Sequence, residues 1–150
     1  MKKMKVLVAL FAAMLVLSSC SSQSKTIDAE KLSEDLLNNV TFQDELTLAD
    51  DNTAKKLYNV EDFVNAYVYI SSGATAEEIA VFEFKDEDSA KQALDNANTR
   101  ISEQKDSFAS YIPEEVKKLD NAVVKQTGCY LIVCVSDGSE AADTISQYVK

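Results

Sequence analysis

Histidine and tryptophan are absent from this chain of 150 residues, proline occurs once and glycine three times. Each scarcity excludes something. Without histidine there is no histidine-based catalytic triad, no histidine-ligated zinc and no use of the commonest general base. Without tryptophan a sugar-stacking platform would have to be built on tyrosine. Pro113 is the only proline, and Gly73, Gly128 and Gly138 are the only glycines, so no internal linker is visible. No Gly-rich phosphate loop is present, and no Ser, Lys or Asp grouping pairs a nucleophile with its base. No cofactor is therefore expected.

Cysteine is nearly as scarce: Cys20, Cys129 and Cys134. The last two lie five residues apart in a β-rich run. In a strand that spacing points them to opposite faces, about 16 Å apart, whereas a disulfide needs Cα atoms within about 7 Å. Both are expected to be small core or sheet residues. A redox pair would require this segment not to be a strand.

Positive charge is also short, with 15 Lys and Arg against 25 Asp and Glu and a net charge of −10. Residues 1–19 hold Lys2, Lys3 and Lys5 and no acidic residue, so the remainder carries 12 basic against 25 acidic residues, a net −13. Such a surface excludes nucleic acid, whose affinity comes from phosphate neutralisation by Lys and Arg. It would not dock on anionic lipid by itself. Acidity keeps an exported protein soluble, and basic partners remain open to it.

What is present begins at the N-terminus. The three lysines precede an apolar stretch, Val6 to Leu17, then Leu17-Ser18-Ser19-Cys20 and the polar run Ser21–Lys25. The basic, apolar, small-residue order is that of a secretory signal. The apolar stretch is shorter than the roughly 20 residues a membrane-spanning helix needs. The ending resembles the bacterial lipoprotein lipobox, an aliphatic residue, two small residues and a cysteine. That resemblance implies cleavage before Cys20 and a diacylglyceryl thioether on its sulfur. A single acyl chain binds a membrane only marginally, at about 0.8 kcal/mol per buried methylene, and two chains hold stably. The expected organisation is a signal peptide over residues 1–19, a lipidated cysteine and tether over 20–26, and one domain over 27–150. The expected location is the outer side of the cell membrane, through the anchor on Cys20.

Within the domain, Ala29, Leu32, Leu36 and Val40 recur at helical spacing behind a capping Asp28. Asp50-Asp51-Asn52 opens a short helix through Leu57. Val64–Ser71 and Ile79–Lys85 predict a hairpin with a longer loop. Asp86 opens the longest helix, with Ala90, Leu94, Ala97, Ile101, Phe108 and Ile112 on one stripe until Pro113 breaks it. Ala122–Lys125 and Cys129–Val135 form a second hairpin, and the almost wholly apolar later strand should be central. A last helix runs from about Ser139 to Tyr148. Strand pairs alternating with helices predict an α+β fold, an antiparallel sheet of two hairpins with helices packed largely on one face.

The segment Gly73-Ala74-Thr75-Ala76-Glu77-Glu78-Ile79-Ala80-Val81-Phe82-Glu83, with Tyr111-Ile112-Pro113-Glu114-Glu115 and Gly128-Cys129-Tyr130, resembles a family of small Gram-positive lipoproteins, domain-of-unknown-function family 4358. The resemblance runs over about Thr26–Lys150. It implies an extracytoplasmic lipoprotein domain and supplies no activity, ligand or catalytic residue.

The loop Gly73–Glu78 is the best candidate for a binding site, because loops on rigid scaffolds carry function. Glu77 and Glu78 are adjacent, so on a strand they face opposite ways and cannot form an acid–base pair. Tyr67 and Tyr69 share one strand face and offer either a stacking shelf or ordinary sheet packing. Asp50-Asp51-Asn52 and Asp86-Glu87-Asp88 lack the spaced ligands of a calcium loop and are read as helix caps, so no metal is expected. The function expected is a non-enzymatic binding or interaction domain, with an envelope protein, peptide or glycan as partner. A small envelope enzyme or enzyme inhibitor using the Gly73–Glu78 region is the alternative, and a solute-capture lipoprotein ranks below both.

Overall fold

The computed structural model describes residues 26–149. Cys20, the signal segment and most of the tether lie outside them. Helix α1 (Ala29–Asn39) and the two-residue strand β1 (Thr47–Leu48) come first, then α2 (Asp51–Tyr58), β2 (Asn65–Ile70) and β3 (Glu78–Glu83). The long helix α3 (Glu87–Tyr111), a 3-10 turn at Pro113–Glu115, α4 (Val116–Asp120), β4 (Val123–Thr127), β5 (Tyr130–Val135) and α5 (Glu140–Ser146) follow.

Local chemistry sets these boundaries. Asp28, Asp50 and Asp86 each accept a hydrogen bond from the backbone N–H three residues on, at 3.0, 3.0 and 2.8 Å. They thereby fill an orphan donor at the start of α1, α2 and α3. The acidic runs read as caps are caps. Pro113 stands at the first position of the 3-10 turn, where its missing N–H does no harm.

The five strands form one antiparallel sheet in the order β1-β2-β3-β5-β4. β2 and β3 pair from Asn65↔Glu83 to Ile70↔Glu78, and β4 and β5 meet across the turn at Gly128, whose φ of +53° a glycine adopts freely. Both expected hairpins are present, and β3–β5 pairing joins them at the centre. The α+β class and the antiparallel sheet are as expected.

The helices, however, cover both faces. Ala80, Phe82, Leu131, Val133 and Val135 pack under α2, α3 and α4, with Tyr58, Phe63 and Phe84 around the Phe82 ring at centroid distances of 5.0, 5.6 and 5.8 Å. Ile79, Val81, Ile132 and Cys134 face the other way, against Leu32 and Leu36 of α1 and Ala141 and Ile145 of α5. The expectation of helices largely on one face therefore holds for three helices of the five. The reason is in the strands: every residue of β5 is buried, and a strand apolar on both sides needs a layer on each. Ala90, Ala93 and Ala97 begin the buried stripe of α3, small residues that let that end of the helix lie close on the sheet, and Ile101 and Phe108 continue it.

Cys134 lies in the core and Cys129 is half-buried in the β4–β5 turn, both as free thiols. Burial pushes the Cys134 thiol up to about 12. Since the thiolate is the reactive form, an alkylating reagent should modify Cys129 in the native protein and Cys134 only after unfolding. Peptide mass mapping at neutral pH checks this, and equal labelling of both in the folded state would show the core is open.

The chain enters this fold at a definite corner. Ile27 is buried in the second core layer, and Thr26 lies with Val64, Cys129 and Tyr130 around a surface cleft. These residues mark the end of the sheet where β2 begins and β3 finishes. The β2–β3 loop is at the other end.

Candidate functional site

The β2–β3 connection runs from Ser71 to Glu77 and is tied down along its length. Gly73 holds a φ of +94°, a conformation that favours glycine. Ser71 Oγ donates to Thr75 O at 2.7 Å, and Ser72 N donates to Asp44 Oδ2 at 2.9 Å. Ala76 N donates to Glu115 Oε2 at 2.8 Å. The loop is thus a fixed surface rather than a loose flap.

Glu77 and Glu78 follow, both 2 % exposed. They do face apart, and each ends in its own charge cluster. Glu77 accepts from the backbone N–H groups of Gln43 and Asp44 at 2.9 Å and from Lys118 Nζ at 3.0 Å. Lys118, a buried ammonium, also reaches Glu115 at 3.0 Å and Gln43 Oε1 at 2.9 Å. Burial alone would raise the Glu77 carboxyl, but the Gln43 and Asp44 N–H groups and the Lys118 charge outweigh it and hold it below its ordinary value. Burial would likewise depress Lys118, and its hydrogen bonds to Glu115 and Glu77 raise it instead.

Glu78 points under α3. Arg100 grips it with Nε and Nη2, and the Tyr58 hydroxyl donates to the same carboxylate. The Arg100 guanidinium also lies 5.4 Å from the centre of the Tyr58 ring. Burial first, and the Glu78 charge second, push the Tyr58 hydroxyl well above its ordinary value. Tyr58 therefore stays a neutral donor at any physiological pH.

Beside this cluster, between the loop and α3, opens a cleft of about 250 Å³. Leu57, Ile70, Phe108 and Tyr111 supply its apolar lining, with Gln104 and Arg100 as polar members. Gln104 Oε1 is buried without a hydrogen-bond partner, the one such side-chain atom among the described residues. An unsatisfied buried acceptor costs about 1–3 kcal/mol.

Glu77 and Glu78 both border this cleft, but Tyr67 and Tyr69 do not join them. The tyrosines stand opposite Val81 and Ile79 on the α1 side of the sheet, half-buried against that core layer. They share a face, as strand periodicity requires, and the face is packed. Of the four candidate residues the cleft therefore takes in Glu77 and Glu78 and leaves out the tyrosines, because Glu78 pairs with Ile70 and points to the opposite face of the sheet from Tyr67 and Tyr69.

Sequence reading missed Tyr58, Arg100, Lys118 and Gln104. One signal was available: Arg100 is the single arginine among 15 basic residues, and arginine is the cation suited to buried, forked carboxylate pairing. Lys118, beside Lys117, looks like solvated charge in the sequence.

The fold and its loop define a class: a two-layer-covered antiparallel domain with paired internal charges beside a small apolar cleft. The family model for Domain of unknown function (DUF4358) matches residues 38–136, and the chain belongs to that family. The match takes in the whole sheet, α2 to α4 and the cleft, and leaves most of α1 and all of α5 outside. No curated protein and no solved structure matches the chain.

Proposed function

We propose that this chain is a membrane-anchored extracytoplasmic lipoprotein whose domain binds a partner at the cell envelope without catalysing a reaction. The observation that carries the binding reading is the pairing of the loop carboxylates. Glu77 is taken up by Lys118 and two backbone N–H groups, and Glu78 by Arg100 and Tyr58. Both carboxylates are thus taken up by the protein's own donors, while an apolar cleft stands open beside them. The anchor reading is supported by the Leu17-Ser18-Ser19-Cys20 run and the short polar tether. Among the described residues no helix is long and apolar enough to cross a membrane.

Two measurements test this. Mass spectrometry of the N-terminal peptide should find a diacylglyceryl-modified Cys20 at the mature start, and Cys20→Ala should remain unprocessed and unmodified. Normal processing of that variant would refute the anchor. Turnover of a cell-wall or peptide substrate by the purified protein, abolished by a point substitution beside the cleft, would overturn the non-catalytic reading.

A further inference from the structure

One helical turn separates Arg100 from Gln104 on α3, and the two are unlike in one respect. Arg100 spends its donors on Glu78, whereas Gln104 Oε1 is shut from solvent and accepts nothing. Gln104 nonetheless lines the cleft. Its terminal amide turns on a broad, soft torsion, so a donor entering there draws the oxygen toward it with little resistance.

The cleft is small. About 250 Å³ falls below the roughly 300–1,000 Å³ of sites that enclose a drug-sized ligand. It suits one side chain with backbone on either side. Leu57, Ile70 and Phe108 make its surface apolar, and the charges in reach are paired already as Glu78–Arg100 and Glu77–Lys118. The group that completes it is therefore aliphatic, uncharged where buried, and carries an N–H. Tyr111 is 57 % exposed and stacked on Phe108 at a centroid distance of 5.2 Å. An exposed tyrosine beside a pocket is the residue type that anchors protein interfaces.

We propose that this cleft is an anchor pocket for a protein partner, taking one aliphatic side chain against Leu57, Ile70 and Phe108 and a main-chain N–H onto Gln104 Oε1. This rests on the reading of the domain as an envelope binding module and names what that module holds. The net −13 beyond residue 19 favours partner segments that are neutral or basic around the anchor.

The probe is N-acetyl-leucine N′-methylamide, titrated into the full lipoprotein in detergent micelles and followed by methyl and side-chain amide NMR. With about 13 non-hydrogen atoms it should bind with a dissociation constant on the order of 1 mM. Shifts should centre on the Gln104 amide and the Leu57 and Ile70 methyls. The analogue methylated on both amide nitrogens keeps the apolar body and has no N–H, and it should bind about 10-fold more weakly. Gln104→Leu should abolish that preference, and Tyr111→Ala, at an exposed position, should weaken the diamide about fivefold while keeping it. Equal binding of the two probes to the native protein, shifts elsewhere, or no shift at about ten times the expected dissociation constant would overturn the proposal. Attachment through Cys20 is read separately, so a failed titration leaves the anchor standing and removes only the pocket.

Discussion

Lys118→Met should destabilise the protein by about 3–5 kcal/mol, the usual consequence of leaving buried carboxylates without their cation. The side chains of Glu77 and Glu115 are 1 % and 6 % exposed, so water cannot replace the lost ammonium. With a urea slope near 2 kcal/mol per molar, the midpoint should fall by roughly 2 M. The pH dependence separates this cause from simple mispacking. Glu77 is held below its ordinary value of 4.5, so its contribution is complete above that pH and is lost as pH falls through the lower folded value. Lys118 is held above 10.5, so its contribution is complete below that pH and is lost as pH rises through the folded value. With no histidine, native stability should be flat across the neutral range between. In the Lys118→Met protein Glu77 loses the charge that helps hold it ionised, so the gap to the native protein should narrow at low pH. A variant within about 1 kcal/mol of native, with no such narrowing, would show that the cluster does not hold the loop.

The second large effect concerns Glu78. Glu78→Leu strands the Arg100 guanidinium, only 17 % exposed, and leaves the Tyr58 hydroxyl without its acceptor. A loss of about 3–5 kcal/mol is expected. The triple replacement Tyr58→Phe, Glu78→Leu, Arg100→Met removes all three polar partners together and should recover most of that loss, because a buried ion cluster is often no more stabilising than apolar residues of similar volume. Urea denaturation of the native, single and triple variants makes the comparison. A triple variant as unstable as the single one would mean that the charges themselves, and not their mutual satisfaction, stabilise this corner.

The two clusters explain why the fold was more legible than its site. Caps, breaks and periodicity are local. Asp28, Asp50 and Asp86 sit where the helices start, Pro113 sits where α3 stops, and the apolar run of β5 announces a central strand. Even the second helical layer was implied by that run, since Ile132 and Cys134 need cover as much as Leu131 and Val133 do. The site is not local. Glu77 meets Lys118 41 residues on, and Glu78 meets Arg100 22 residues on and Tyr58 20 residues back. No short-range pattern encodes those meetings. The β3–β5 pairing that brings the second hairpin beside the first is set by which faces fit, and Gln104 gains its meaning only from the donor it lacks. The tyrosines show the same limit: alternation puts Tyr67 and Tyr69 on one face and leaves a shelf and ordinary packing both open, and the choice is made by α1, mostly outside the family match, which covers them.

The corner at which the chain enters has a consequence for who can be met. Thr26 stands by the start of β2, and the candidate cleft opens by its far end. Six residues of strand put about 20 Å between the two. If Cys20 carries the lipid, attachment and cleft lie at opposite ends of the sheet, so a group held in the cleft meets the domain at the end away from its anchor.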